Sequence, residues 1–163
     1  MVIKLTPFEI AHPDSDLHKN EGHSSLFAHA GAEFLTLCMY IHANASSKVY
    51  FYAELPLLHQ SIELLLKAHA AKVDTSFSAK KYGHDTVKII NDYAGRIPVF
   101  SELAGNNAAI YLINGLKEAW LSVRYAEVMV ESSGLDSDDA IGIGKLLAND
   151  YCKSYGIQIL AQH

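Results

Sequence analysis

Three short stretches of this chain place acid–base and charge-pairing groups at defined spacing. In SIELLLKAHA, Glu63 and Lys67 stand four residues apart. That spacing puts them on one helix face with the acid first, the favourable order, and His59 lies one turn further back on the same line. A solvated pair of this kind contributes only about 0.2–0.5 kcal/mol. The other reading is a partly buried site, because the pair adjoins the apolar stripe Leu55, Leu58, Ile62, Leu65 and His69. In YGHDTVKII, Asp85 suits a helix start, where backbone N–H groups are exposed, and the same dipole keeps His84 neutral. A neutral imidazole serves as a base or a ligand anchor; equally, Gly83 ends a loop and His84 or Asp85 caps a helix. In SVRYAE, Arg124 precedes Tyr125, and only Arg96 shares its residue type. Arg124 either forks onto a carboxylate such as Glu63 or reaches an anionic ligand.

Other chemistries fail on spacing. A calcium loop counted from Asp136 would need an acid, a glycine and a glutamate where Ala140, Ile141 and Leu147 stand. GIGK lacks the glycine spacing and the following Ser/Thr of a phosphate loop. The nine histidines are dispersed, without a His-x3-His or Cys-x2-Cys pair, so neither a metal nor another cofactor is expected.

The elements that must position these groups read as helices. SSLFAHAGAEFLTLCMYIHANA offers Ser24 or Ser25 as a cap and Leu26, Ala30, Phe34, Leu37 and Ile41 as an inward stripe. A long second helix follows Ser46 or Ser47, with Pro56 predicting a kink or a late start. VDTSFSAKKYG reads as a loop, HDTVKIINDYA as a third helix with Val87, Ile90 and Ala94 inward, and GRIPVFSELAG as a connector. A fourth helix is capped by Asn106 or Asn107 and turns Ile113, Leu116, Trp120 and Val123 to the core. Ser137, with Asp138 and Asp139 behind it, opens a fifth, whose face is Ile143, Leu146, Leu147 and Tyr151 and whose end is Gly156. Strand-like alternation is nearly absent. The expected fold is all-α, an antiparallel up-and-down bundle of about five helices in a single domain over residues 1–163, with 1–23 an N-terminal extension and a core of about 24–155.

Composition narrows the partners. Thirteen Lys and Arg against 18 Asp and Glu give a net charge of −5, which opposes non-specific polyanion binding and gives no reason to expect sequence-specific DNA binding. The longest apolar run, FLTLCMYI, is far short of the roughly 20 residues of a membrane span. The first residues carry no signal-peptide pattern, and Cys38 and Cys152 make no disulfide or metal spacing; a cytoplasmic location is expected.

In their order along the chain, SIELLLKAHAAK on a long second helix, a loop, YGHDTVKII, a fourth helix and then RYAE resemble the HEPN family of small helical domains. The resemblance spans residues 24 to 155. It implies a two-fold dimer and a module that binds a nucleotide, RNA or a partner protein, beside a nucleotidyltransferase or within a toxin–antitoxin or phage-defence system. It also implies that Glu63, Lys67, His84, Asp85, Arg124 and Tyr125 converge as a ligand site. Lys67 and Arg124 would face the anion, His84 and Tyr125 would supply hydrogen bonds or stacking, and Glu63 and Asp85 would orient the cations. Ribonuclease members of the family carry an Arg followed four to six residues later by His. Here YAEVMV follows Arg124 and IPVFSE follows Arg96, so a binding rather than a catalytic role is expected. Two alternatives stand beside it: a metal-independent RNA endonuclease using His84 and Arg124, and a purely structural dimer.

Overall fold

A computed structural model describes residues 18–44, 51–125 and 135–156, with side chains at 24–44, 54–121 and 135–156. The described residues form seven helices and no strand: α1 (His18–Asn44), α2 (Phe51–Val73), α3 (Ala79–Tyr82), α4 (Thr86–Tyr93), α5 (Pro98–Ala104), α6 (Asn107–Tyr125) and α7 (Ser137–Tyr155). The all-helical bundle agrees with the periodicity, but the count is seven rather than five. The two extra helices, α3 and α5, fall in the stretches expected to be a loop and a connector; at four and seven residues they are too short to show a repeating face. None of the described helices is long and apolar enough to cross a membrane.

The second helix, α2, is the axis of the structure. It packs on α1, α4, α6 and α7, and the whole expected stripe, Leu55, Leu58, Ile62, Leu65 and His69, is buried. The enclosure goes further than a stripe: Glu54, His59, Ser61, Glu63 and Lys67 are buried as well. A helix covered on nearly every side has no solvated face on which to leave its polar residues, so each must find a partner inside. Pro56 lies in the first turns of α2, where few i→i−4 bonds are at stake.

The first helix meets α2 through small residues, and this corrects its expected stripe. Ala28, Ala32, Leu35 and Cys38 are buried, whereas Leu26 and Leu37 are 67% and 44% exposed. The cause is close approach. A Cβ on Gly31 would stand 2.9 Å from Leu65 Cγ and 3.1 Å from the backbone of Leu65 and Ser61, and Ser61 Oγ donates to the Gly31 carbonyl at 2.8 Å. Ser24 is not the cap of α1 but lies within it, donating to the Ala68 carbonyl at 2.8 Å and meeting the Tyr151 hydroxyl at 2.6 Å. Large side chains on that face would hold the helices apart.

Elsewhere the helix ends follow the sequence closely. Asn106 caps α6 by accepting from Ala108 and Ala109 N–H. Asp136, one residue before the expected Ser137, caps α7. Gly156 closes α7 at φ 66°, a left-handed position suited to glycine. On α7, Ile143, Leu147 and Tyr151 are buried but Leu146 is 37% exposed. On α4, Thr86, Ile89, Ile90 and Tyr93 face the core, with Val87 and Ala94 half-buried. The expected caps Ser46 and Ser47 lie outside the described residues.

Candidate functional site

Four side chains from two elements meet at the Glu63 carboxylate. The i, i+4 geometry of α2 sets His59 and Lys67 one turn to either side of it. Lys67 Nζ donates to Oε1 at 2.5 Å, and His59 Nε2 stands 3.1 Å from Oε2. The fourth group comes from the turn between α3 and α4. Gly83, at φ 55°, reverses the chain there, a conformation that is free of strain only for glycine. That turn delivers His84 Nδ1 to Glu63 Oε2 at 2.9 Å. Asp85 then caps α4, accepting from Lys88 N–H at 3.2 Å.

Burial and hydrogen bonding oppose each other at Glu63. Burial alone pushes its carboxyl upward, but the close His59 imidazole and the hydrogen bonds from Lys67 and His84 outweigh it and hold the group down at about 2. Glu63 is therefore a carboxylate at neutral pH. A carboxylate only accepts, so His84 Nδ1 is the donor in this hydrogen bond, and Nε2 is the ring nitrogen that Glu63 does not engage. His59 is oriented less well. Its Nε2 is buried and close to Oε2, yet off the line that a hydrogen bond requires.

The sixth helix supplies an aromatic wall. The Trp120 ring lies 4.3 Å from the His84 ring, tilted by 52°, and 5.0 Å from the His59 ring at 30°. The His84 side chain is 43% exposed and that of Glu63 only 3%, so the imidazole is the part of the cluster that a dissolved molecule meets.

The structure thus brings together Glu63, Lys67 and His84 from the expected set. Lys67 is buried and spends its ammonium on Glu63. Asp85 is exposed and caps α4, and among the described residues no contact ties it to Lys67. Arg124 and Tyr125 belong to the last turn of α6, but their side chains lie outside the described residues, as does that of Val123. Two participants escaped the sequence reading. The sequence shows His59 only as a neighbour on the Glu63 line, although its four-residue step is the usable signal; Trp120 reads as part of the core stripe, whereas it is half-buried against both imidazoles.

A second polar cluster closes the far end of the bundle. Glu54 accepts from Ser137 Oγ at 3.0 Å and faces His42, whose Nε2 stands 3.2 Å from Asp138. It ties α1, α2 and α7 together.

No family model, curated protein or solved structure matches the chain.

Proposed function

We propose that the chain is a HEPN-like binding domain, not itself a catalyst, whose site at Glu63, Lys67, His84 and Trp120 takes a nucleotide or single-stranded RNA. The observation that carries this reading is the half-exposed His84 ring, anchored on the Glu63 carboxylate and set against Trp120. Nucleobases bind without strong sequence preference on such aromatic surfaces, each stacked base contributing about 1–3 kcal/mol. In this reading His84 Nε2 accepts a hydrogen bond from the ligand, and Arg124 and Tyr125, at the end of α6, contribute charge and stacking. Lys67 acts from behind by holding Glu63. The up-and-down bundle is then one of about five helices, α1, α2, α4, α6 and α7, with α3 and α5 in its connections. The chain works in the cytosol as a homodimer, with Leu26, Leu37 and Tyr40 of α1 as the exposed apolar positions that a second copy would cover, and its partner is a nucleotidyltransferase or another protein of a toxin–antitoxin or defence system.

Trp120 is the sole tryptophan of the chain, so its fluorescence reports the site directly. Titration with nucleotides and a short single-stranded RNA at low salt is expected to change that emission saturably, and His84→Ala to abolish the change. A flat response across the panel, with no RNA retained at low salt, overturns the binding reading and leaves a structural dimer. A second reading rests on one feature. An ionised Glu63 that fixes the His84 tautomer is also how a general base is oriented, and RNA cleavage lost in His84→Ala would move the domain to the endonucleases.

A further inference from the structure

The Glu63 carboxylate divides its oxygens. Oε1 receives Lys67, and Oε2 receives both imidazoles, at 3.1 Å from His59 and 2.9 Å from His84. These three residues bring one ligand atom each to within 4.8 Å of one another. The geometry points to a binding site for one divalent transition-metal ion of the zinc class, held by His59, Glu63 and His84.

The spacing fits an ion. Two ligand atoms about 2.1 Å from a shared tetrahedral metal lie about 3.4 Å apart. The two edges at Oε2, 3.1 Å to His59 and 2.9 Å to His84, fall a little short of that. A turn of the half-exposed His84 ring would adjust its two edges while His59 and Glu63 stay in the packed α2, and the ion would take the place of the proton that Nδ1 shares with Glu63, which leaves to solvent. A buried imidazole supplies the second observation. His59 is 1% exposed, and its Nε2, aimed into the cluster, has no aligned hydrogen-bond partner. A buried polar atom left so keeps its desolvation cost, which an ion on the nitrogen would offset.

The donor set names the metal class. Two imidazoles and one carboxylate suit zinc, cobalt, nickel or iron(II), whereas magnesium and calcium seek oxygen ligands. Lys67 is then a positioning residue: by occupying Oε1 it leaves the carboxylate to ligate through Oε2 alone, the outer contact that ligating carboxylates commonly have. Three protein ligands with the His84 side open leave a coordination position for water or a bound molecule, which a closed structural site lacks.

The inference does not depend on nucleotide binding, and its test uses metal alone. The untagged full-length chain, stripped with chelator, is titrated with zinc chloride by calorimetry, and with cobalt chloride while Trp120 emission and visible absorption are followed. One zinc per chain, cobalt quenching of Trp120 and a cobalt ligand-field band are expected. His84→Ala, a substitution on the exposed side, is expected to keep the helical circular dichroism and weaken zinc at least about tenfold, while His42→Ala leaves the affinity unchanged. Absence of saturable zinc binding overturns the inference. So does binding that His84→Ala leaves intact, since the ion would then sit on others of the nine histidines.

Discussion

Replacing Glu63 by Gln keeps the shape of the side chain and removes its charge. Lys67, only 7% exposed, would then hold a buried ammonium against a neutral amide. The depression of the Glu63 carboxyl from 4.5 to about 2, caused by His59, Lys67 and His84 together, sets the scale of the folded chain's preference for the charged form. At about 1.36 kcal/mol per pKa unit, that preference is about 3 kcal/mol. The figure agrees with the roughly 3–5 kcal/mol lost when one partner of a buried pair is removed. Urea unfolding at neutral pH, followed by Trp120 fluorescence, is expected to show a lower midpoint at unchanged slope and a loss of about 3 kcal/mol. Adding Lys67→Met to Glu63→Gln should recover much of the loss, because no orphaned cation remains. The sign with pH follows from linkage. A carboxyl whose folded value is depressed contributes fully above its unfolded value of about 4.5, and that contribution vanishes as pH falls toward about 2. Wild type and variant should therefore converge in acid. A loss below about 1 kcal/mol, or a double variant no more stable than the single, would refute the account of Glu63 as the internal counterion of Lys67.

Gly31→Ala should destabilise by about 1–3 kcal/mol, read as a lower Tm, because its Cβ would meet Leu65 Cγ at 2.9 Å and backbone at 3.1 Å. Asp85→Ala should cost about 1 kcal/mol through loss of the α4 cap while leaving Trp120 titrations with nucleotide unchanged. Burial depresses His69 below its ordinary 6.5, against the opposing pull of the Leu147 carbonyl and Asp150. Its contribution is therefore present above about 6.5 and lost as pH falls below it, an acid dependence that denaturant melts should show reduced in His69→Gln. Burial, then the nearby Glu54, pushes the Cys38 thiol up to about 12; in the native chain a thiol reagent should label Cys152 alone, and Cys38 only on unfolding.

What the sequence disclosed, and what it hid, divides along the packing of α2. Its apolar stripe and the caps at Asp85, Asn106 and Gly156 were legible because they depend on local chemistry. The inward face of α1 was not: hydrophobicity favoured Leu26 and Leu37, whereas close approach selected Ala28, Gly31 and Ala32. The helices α3 and α5 hold too few turns to repeat a pattern. Within the site, the four-residue steps placed Glu63 beside Lys67, and the order of the motifs brought in His84. The inclusion of His59 and Trp120 depends on α2 being enclosed and on α6 lying across it, which are tertiary facts. A His-x3-Glu step completed by a histidine 21 positions beyond Glu63 has no compact signature along the chain.

The two sides of the site also differ in how the chain can open around them. His59, Glu63 and Lys67 ride on the most enclosed helix, where amide exchange is expected to require global unfolding. His84 rides on a glycine turn next to the exposed cap of an eight-residue helix, a place where backbone opens locally and at small cost. Anything bound between them would fasten the fast-exchanging segment to the slow one. Hydrogen exchange at residues 83–88 would then slow toward the rate of α2, so occupancy of the site would be written in the kinetics of a turn that, without a ligand, exchanges on its own.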